Sequence, residues 1–218
     1  MISQQHTKVS EVQEALTTIG QYGRSKIAVD AYKDHISDHI GSGHSLSHSL
    51  SVAELLSSIA PDGYIDEWYI TGLLHDIYDL ELPVTGNKRR IIRVILEKSR
   101  ISPGIITCIE NYTRISDLRK WTPLMAALNY VLAHTDEQGY IHTTSECCMK
   151  NIRTDKCNTC MYARFYLSQR GDIDRAEEAI TKMQKHNEYR KQKEDDCGDN
   201  EKRGVERSHE KTEAVFAC

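Results

Sequence analysis

At 218 residues, 39% hydrophobic and 28% charged, the chain has enough apolar material for one generous core, which excludes disorder throughout. A net charge of −4 and a pI near 6.2 remove any global electrostatic case for binding nucleic acid. The longest mainly apolar stretches, 91–96 and 124–133, are interrupted by Arg93 and Asn129 and fall well short of the ~20 residues that cross a bilayer. The polar N-terminus has no secretory signature, so the chain reads as soluble and cytoplasmic.

Only four prolines and repeated 3.6-residue apolar spacing predict an all-α fold. Val9, Val12, Leu16 and Ile19 mark a first helix that Gly20 or Gly23 ends. Residues 28–40 read as a second, closed by Gly41, Ser42 and Gly43. Val52, Leu55, Leu56 and Ile59 line one face of a third that starts near His48 and stops at the turn Pro61-Asp62-Gly63. A fourth is predicted over 66–78, broken by Pro83, Gly86 and Asn87, and a fifth over 88–99. Ser102-Pro103 and Thr122-Pro123 each pair an N-cap with a proline at the first helical position, starting helices that run to about 112 and 135. The pattern weakens after Asp136, then resumes in helices over 161–169 and from 174, the last with Ala176, Ile180 and Met183 on one side. The organisation is therefore an N-terminal helix (1–24), a helical core (25–140), a cysteine-containing segment with closing helices (141–184) and a charged tail (185–218). The tail mixes both signs of charge, lacks apolar anchors and is predicted to be disordered.

Five of the ten histidines fall between His35 and His75. His48 begins one predicted helix, His75 and Asp76 are adjacent near the end of the next, and Asp136 closes a later one. Imidazole nitrogen and carboxylate oxygen together suit divalent ions of intermediate hardness such as Mn²⁺, Co²⁺, Ni²⁺ or Fe²⁺. Four such ligands on a six-coordinate ion leave two positions for water and a substrate oxygen. Antiparallel neighbours joined by short turns bring helix ends of this kind together.

His48 within His-Ser-Leu-Ser-Val, Leu73-Leu74-His75-Asp76, and Asp136 within Leu-Ala-His-Thr-Asp form three spaced pieces in one order. This constellation resembles the HD-domain metal-dependent phosphohydrolase superfamily. Gly43-His44-Ser-Leu-Ser-His48-Ser-Leu-Ser-Val52 is similar to the Gly-His-Asp-x-x-His-x-x-Arg-Val start of a small stand-alone branch, whose His-Asp-x-x-Asp is matched by His75, Asp76 and Asp79. The resemblance spans roughly 25–137. It implies an HD-domain-like helical bundle holding one divalent ion (Mn, Co, Ni, Fe or Mg) through His48, His75, Asp76 and Asp136. It further implies hydrolysis of phosphate esters or anhydrides, commonly of nucleotides, by a metal-activated water. With no histidine between His75 and His134, a single ion fits the chain better than the two- or three-metal branches. His48 is preferred over His44 as first ligand because Val52 and Leu55 follow at the family's spacing, which leaves His44 to contact the substrate phosphate. Ser45 and Ser51 stand where the branch has Asp and Arg. His134 stands where it tends to have Asp, either supporting a ligand from behind or serving as an alternative ligand. Asp79-Leu80-Glu81 departs from the adjacent carboxylates of alarmone hydrolases, and a di-iron oxygenase needs more ligands than can be placed.

Asp79 lies about one helical turn from His75 and Asp76, placed either to handle the proton in catalysis or to stay solvated. Lys88, Arg89 and Arg90, with Arg93 beyond, form a basic cluster at a helix start that suits phosphate oxygens, or a solvated face. Cys147, Cys148, Cys157 and Cys160 space as Cys-Cys-x8-Cys-x2-Cys; structural zinc, free thiols and a redox pair all remain open, with His142 able to replace a cysteine ligand. Two functional readings follow. One is a hydrolase of a small phosphorylated substrate, as a monomer or a homo-oligomer. The other is a non-catalytic nucleotide-sensing or protein-interaction module that keeps the metal site.

Overall fold

The computed structural model describes residues 2–41, 45–84, 86–113, 118–143 and 155–186. Among them are nine α-helices: α1 (Ile2–Tyr22), α2 (Lys26–His35), α3 (Leu46–Ile59), α4 (Ile65–Leu74), α5 (Lys88–Lys98), α6 (Pro103–Asn111), α7 (Pro123–His134), α8 (Asp155–Arg170) and α9 (173–186). No strand occurs among the described residues; two isolated antiparallel bridges join Ile40 to Leu80 and Thr135 to Ile141. The all-α expectation is met. No helix of the described residues is long and apolar enough to cross a membrane.

Short polar side chains set the helix starts by accepting otherwise orphaned amides. Ser25 caps Ala28, Ser45 caps His48, Asn87 caps Arg90, Ser102 caps Ile105 and Thr122 caps Met125. Pro103 and Pro123 occupy the first helical position, where the sequence places them.

The antiparallel hairpin of α3 and α4 lies between two apolar clusters. On one side Ala53, Tyr69, Leu73 and Leu74 pack with Val12, Leu16 and Ile19 of α1, Tyr32 of α2, and residues of α5 and α6. On the other, Val52, Leu55, Leu56, Ile59 and Trp68 pack with α7, α8 and α9. The hairpin thus has both flanks buried.

Of the two glycines expected to end α1 the second does so, while several other boundaries differ from the sequence expectation. Gly20 lies inside α1, its α-carbon packed so closely that a β-carbon would sit 3.1 Å from Ile101 and 3.2 Å from the Ser99 carbonyl; Gly23, at φ +55°, ends the helix. The helix expected over 28–40 stops at His35. Ile36 leaves helical geometry and is fully buried, and the chain passes through a 3₁₀ turn (Ser37–His39) to pair with residues 79–81. There Glu81 N–H donates to His39 O (2.7 Å) and Gly41 N–H to Asp79 O (3.1 Å), so bonds to a distant segment replace helical ones. The helix expected over 66–78 ends at Leu74, leaving His75 and Asp76 in a turn before a second 3₁₀ turn, Ile77–Asp79. α8 starts earlier than expected, at Asp155. The tail lies outside the described residues beyond 186.

Candidate metal centre

α3 and α4 can approach at close range because Gly72 has no side chain. A β-carbon there would lie 2.6 Å from Ala53 Cα and 2.7 Å from its nitrogen. This crossing sets the start of α3, with His48, beside the end of α4, with His75 and Asp76. All three side chains are buried, at 2%, 2% and 6% exposure. Their ligand atoms lie within 4.8 Å of one another, the one group of its kind among the described residues.

The hydrogen-bond partners decide which nitrogens face inward. A main-chain carbonyl can only accept, so the ring nitrogen beside it carries the hydrogen. His75 Nδ1 lies 2.8 Å from Gly72 O, and His48 Nδ1 lies 2.5 Å from Asp136 O. Both rings therefore spend their one neutral-state proton on a carbonyl. Each Nε2 is left as an electron-pair donor; the two are 3.3 Å apart, and His75 Nε2 is 3.0 Å from Asp76 Oδ2. Three buried electron-pair donors converging on one point repel unless a shared proton or a metal ion lies between them. Ligand atoms around an ion at ~2.1 Å with angles near 90–109° stand about 3.0–3.4 Å apart, which matches both separations. The donor set fits a divalent ion, with two nitrogens and one oxygen from the chain.

Asp136, expected as the fourth ligand, takes part here through its main chain. Its carboxylate is turned back on its own loop: Oδ1 accepts from the amides of Gln138 (3.1 Å) and Tyr140 (2.8 Å), and Oδ2 is 3.0 Å from His142 Nε2. To ligate, it must leave those partners. Ser45, where the branch has Asp, caps α3 and donates its hydroxyl to Glu137 O (3.1 Å).

Asp79 is exposed on the 3₁₀ turn, and its amide donates to Asp76 O (2.8 Å). It lies outside the three-donor group. Two phenols that the sequence reading did not single out feel the Asp76 charge. Tyr32 donates to Ser49 Oγ (3.0 Å), and burial, with a contribution from the Asp76 charge, pushes its pKa up to about 12. Tyr112 is raised further, by burial first and then by the Asp76 and Asp79 charges. Nothing in the local sequence marks either tyrosine, because their burial comes from α2 and α6 packing beside the hairpin. The basic cluster divides. Arg89 is committed, donating to Glu110 O and lying 4.4 Å above the Tyr78 ring, while Arg93 pairs with Glu97 and Glu110. Lys88 and Arg90 are exposed at the start of α5.

His134 is fully buried against Tyr130, with ring centroids 4.4 Å apart. Its Nδ1–H donates to Tyr130 O (2.7 Å), its Nε2 makes no hydrogen bond, and burial lowers its pKa. It stands apart from the three donors. His44, Cys147 and Cys148 lie outside the described residues, as does the Cys157 side chain. Cys160, the remaining member of the cysteine motif, is a buried thiol in the α7–α8 core.

The chain matches no family model, no curated protein and no solved structure.

Proposed function

We propose that the protein is a metal-dependent phosphohydrolase acting on a small phosphorylated substrate, with nucleotides as the favoured class. The reading rests on one observation: the ligand atoms of the buried His48, His75 and Asp76 lie within 4.8 Å of one another, with both Nδ1 positions held by carbonyls. The order of these residues in the chain, and its similarity to the HD pattern, supports it. A divalent ion bound there would polarise a phosphoryl group and lower the pKa of a water. The chain's own residues would do the rest. His48 and His75 hold fixed ring orientations, Asp76 would supply negative charge, and Asp79, an exposed carboxylate on the following turn, would handle the proton. Lys88 and Arg90, exposed at the start of α5, would meet substrate phosphate.

The test is phosphate and pyrophosphate release from a nucleotide panel by metal-stripped protein, with Mn²⁺, Co²⁺, Ni²⁺ or Mg²⁺ added back. We predict metal-restored turnover that falls at least 100-fold in His75→Ala/Asp76→Ala. Metal binding with no turnover on any substrate would sink the hydrolase reading and favour a nucleotide-sensing module.

A further inference from the structure

His48 comes from α3, but the atom that orients it belongs to a different part of the chain. The segment Thr135–His142 follows α7 and folds as a closed loop: Thr135 bridges Ile141, Asp136 N–H donates to Tyr140 O (3.0 Å), Gly139 N–H to Asp136 O (2.9 Å), and His142 N–H to His134 O (2.7 Å). The Asp136 carboxylate closes it further through Gln138, Tyr140 and His142. The loop then lies directly on the first turn of α3. Ser45 reaches the Glu137 carbonyl through both its amide (3.3 Å) and its hydroxyl (3.1 Å), and His48 Nδ1 reaches the Asp136 carbonyl (2.5 Å).

The contact depends on Gly139. At φ +87° it occupies left-handed backbone, and a β-carbon would fall 2.5 Å from Ser47 O, 2.7 Å from Ser47 C and 3.0 Å from His48 N. No side chain fits between the loop and α3 without driving them apart. We infer that Thr135–His142 is a positioning element that locks His48 in the Nδ1–H tautomer with Nε2 aimed at His75 and Asp76, and that Gly139 is the positioning residue on which this lock depends. Partners of a ligand histidine's second nitrogen tune ligand orientation and basicity, and losing them typically costs ~10–100-fold in metal affinity. The inference deepens the metal-site reading and rests on it for its purpose.

A matched pair of variants isolates the effect. Gly63 has nearly the same backbone, φ +85°, but a β-carbon added there would meet nothing within 4 Å, so Gly63→Ala carries the strain of a left-handed alanine without the collision. The full-length chain is stripped of metal and the imidazole nitrogens are read by long-range ¹⁵N–¹H correlation. We expect wild type and Gly63→Ala to show His48 protonated at Nδ1, and Gly139→Ala to show a mixture of tautomers. Titration with Mn²⁺ should then give roughly 10–100-fold weaker binding for Gly139→Ala alone. Retention of the Nδ1–H tautomer and of Mn²⁺ affinity in folded Gly139→Ala overturns the inference, as does equal loss in both variants. If Gly139→Ala does not fold, Ser45→Ala removes the hydroxyl bridge to Glu137 and is read the same way; a wild-type His48 protonated at Nε2 overturns the inference by itself. A wild type that binds no metal would end the hydrolase reading, while the tautomer would still decide this one.

Discussion

His134 shows how one buried side chain couples the fold to pH. Its ordinary pKa is 6.5, and burial, the largest cause, lowers it in the folded state. The native ring is therefore neutral where the unfolded chain takes up a proton. Because the folded value is depressed, the contribution is fully present above 6.5 and is lost as pH falls through that value toward the folded one. Urea unfolding at about pH 7.5 and about pH 5.5, on either side of the ordinary value, should show a drop in wild-type stability that is smaller in His134→Leu, which keeps similar bulk and cannot be protonated. Equal drops would contradict it. The sequence marks His134 only as a departure from a pattern; that it is fully enclosed follows from the packing of α7 against its neighbours.

At the scale of elements, the α3–α4 crossing carries most of the site's geometry. In an exposed helix, Gly→Ala is favourable by about 1 kcal/mol. At Gly72 the new methyl would meet Ala53 backbone at 2.6 Å, and overpacking against backbone costs about 1–3 kcal/mol. We predict that Gly72→Ala is net destabilising in denaturant unfolding and weakens Mn²⁺ binding, because His48 and His75 separate with the helices. A variant as stable as wild type would show that the crossing relaxes freely. Helix starts were legible in the sequence, since Ser102-Pro103 and Thr122-Pro123 act locally on orphan amides. The ends of α2 and α4 were not. Residues 36–40 and 75–78 are compatible with helix taken alone, and they leave it because 39–41 and 79–81 hydrogen-bond to each other across about forty residues of chain. A window of sequence does not contain that competition. One result is that His75 and Asp76 occupy a turn, where their side chains are not constrained to one helical face.

Across the whole molecule, the donors come from the start of α3 and the end of α4, and the loop that holds His48 follows α7. The three-donor group therefore exists only in the folded chain, and an ion that binds it must stabilise the fold. At a free ion concentration of about 100 times the dissociation constant the gain is about 2.7 kcal/mol. We predict that Mn²⁺ raises the thermal midpoint of the metal-stripped protein, that EDTA reverses the rise, and that His75→Ala/Asp76→Ala abolishes it. An unchanged midpoint in the wild type would argue against a metal centre.

The sequence by itself determined the all-α class and most helix starts and marked the His75-Asp76 pair, because periodicity, caps and adjacency are local properties; His48 was singled out by the resemblance. Tertiary structure decided what each residue does. It showed Arg89 bound to Glu110 rather than exposed, turned the Asp136 carboxylate onto its own loop, and used the Asp136 carbonyl to orient His48. Carbonyls carry no residue identity, and close approaches such as Gly72 on Ala53 or Gly139 on Ser47 join segments far apart in the chain. Those contacts become visible only once the helices are packed.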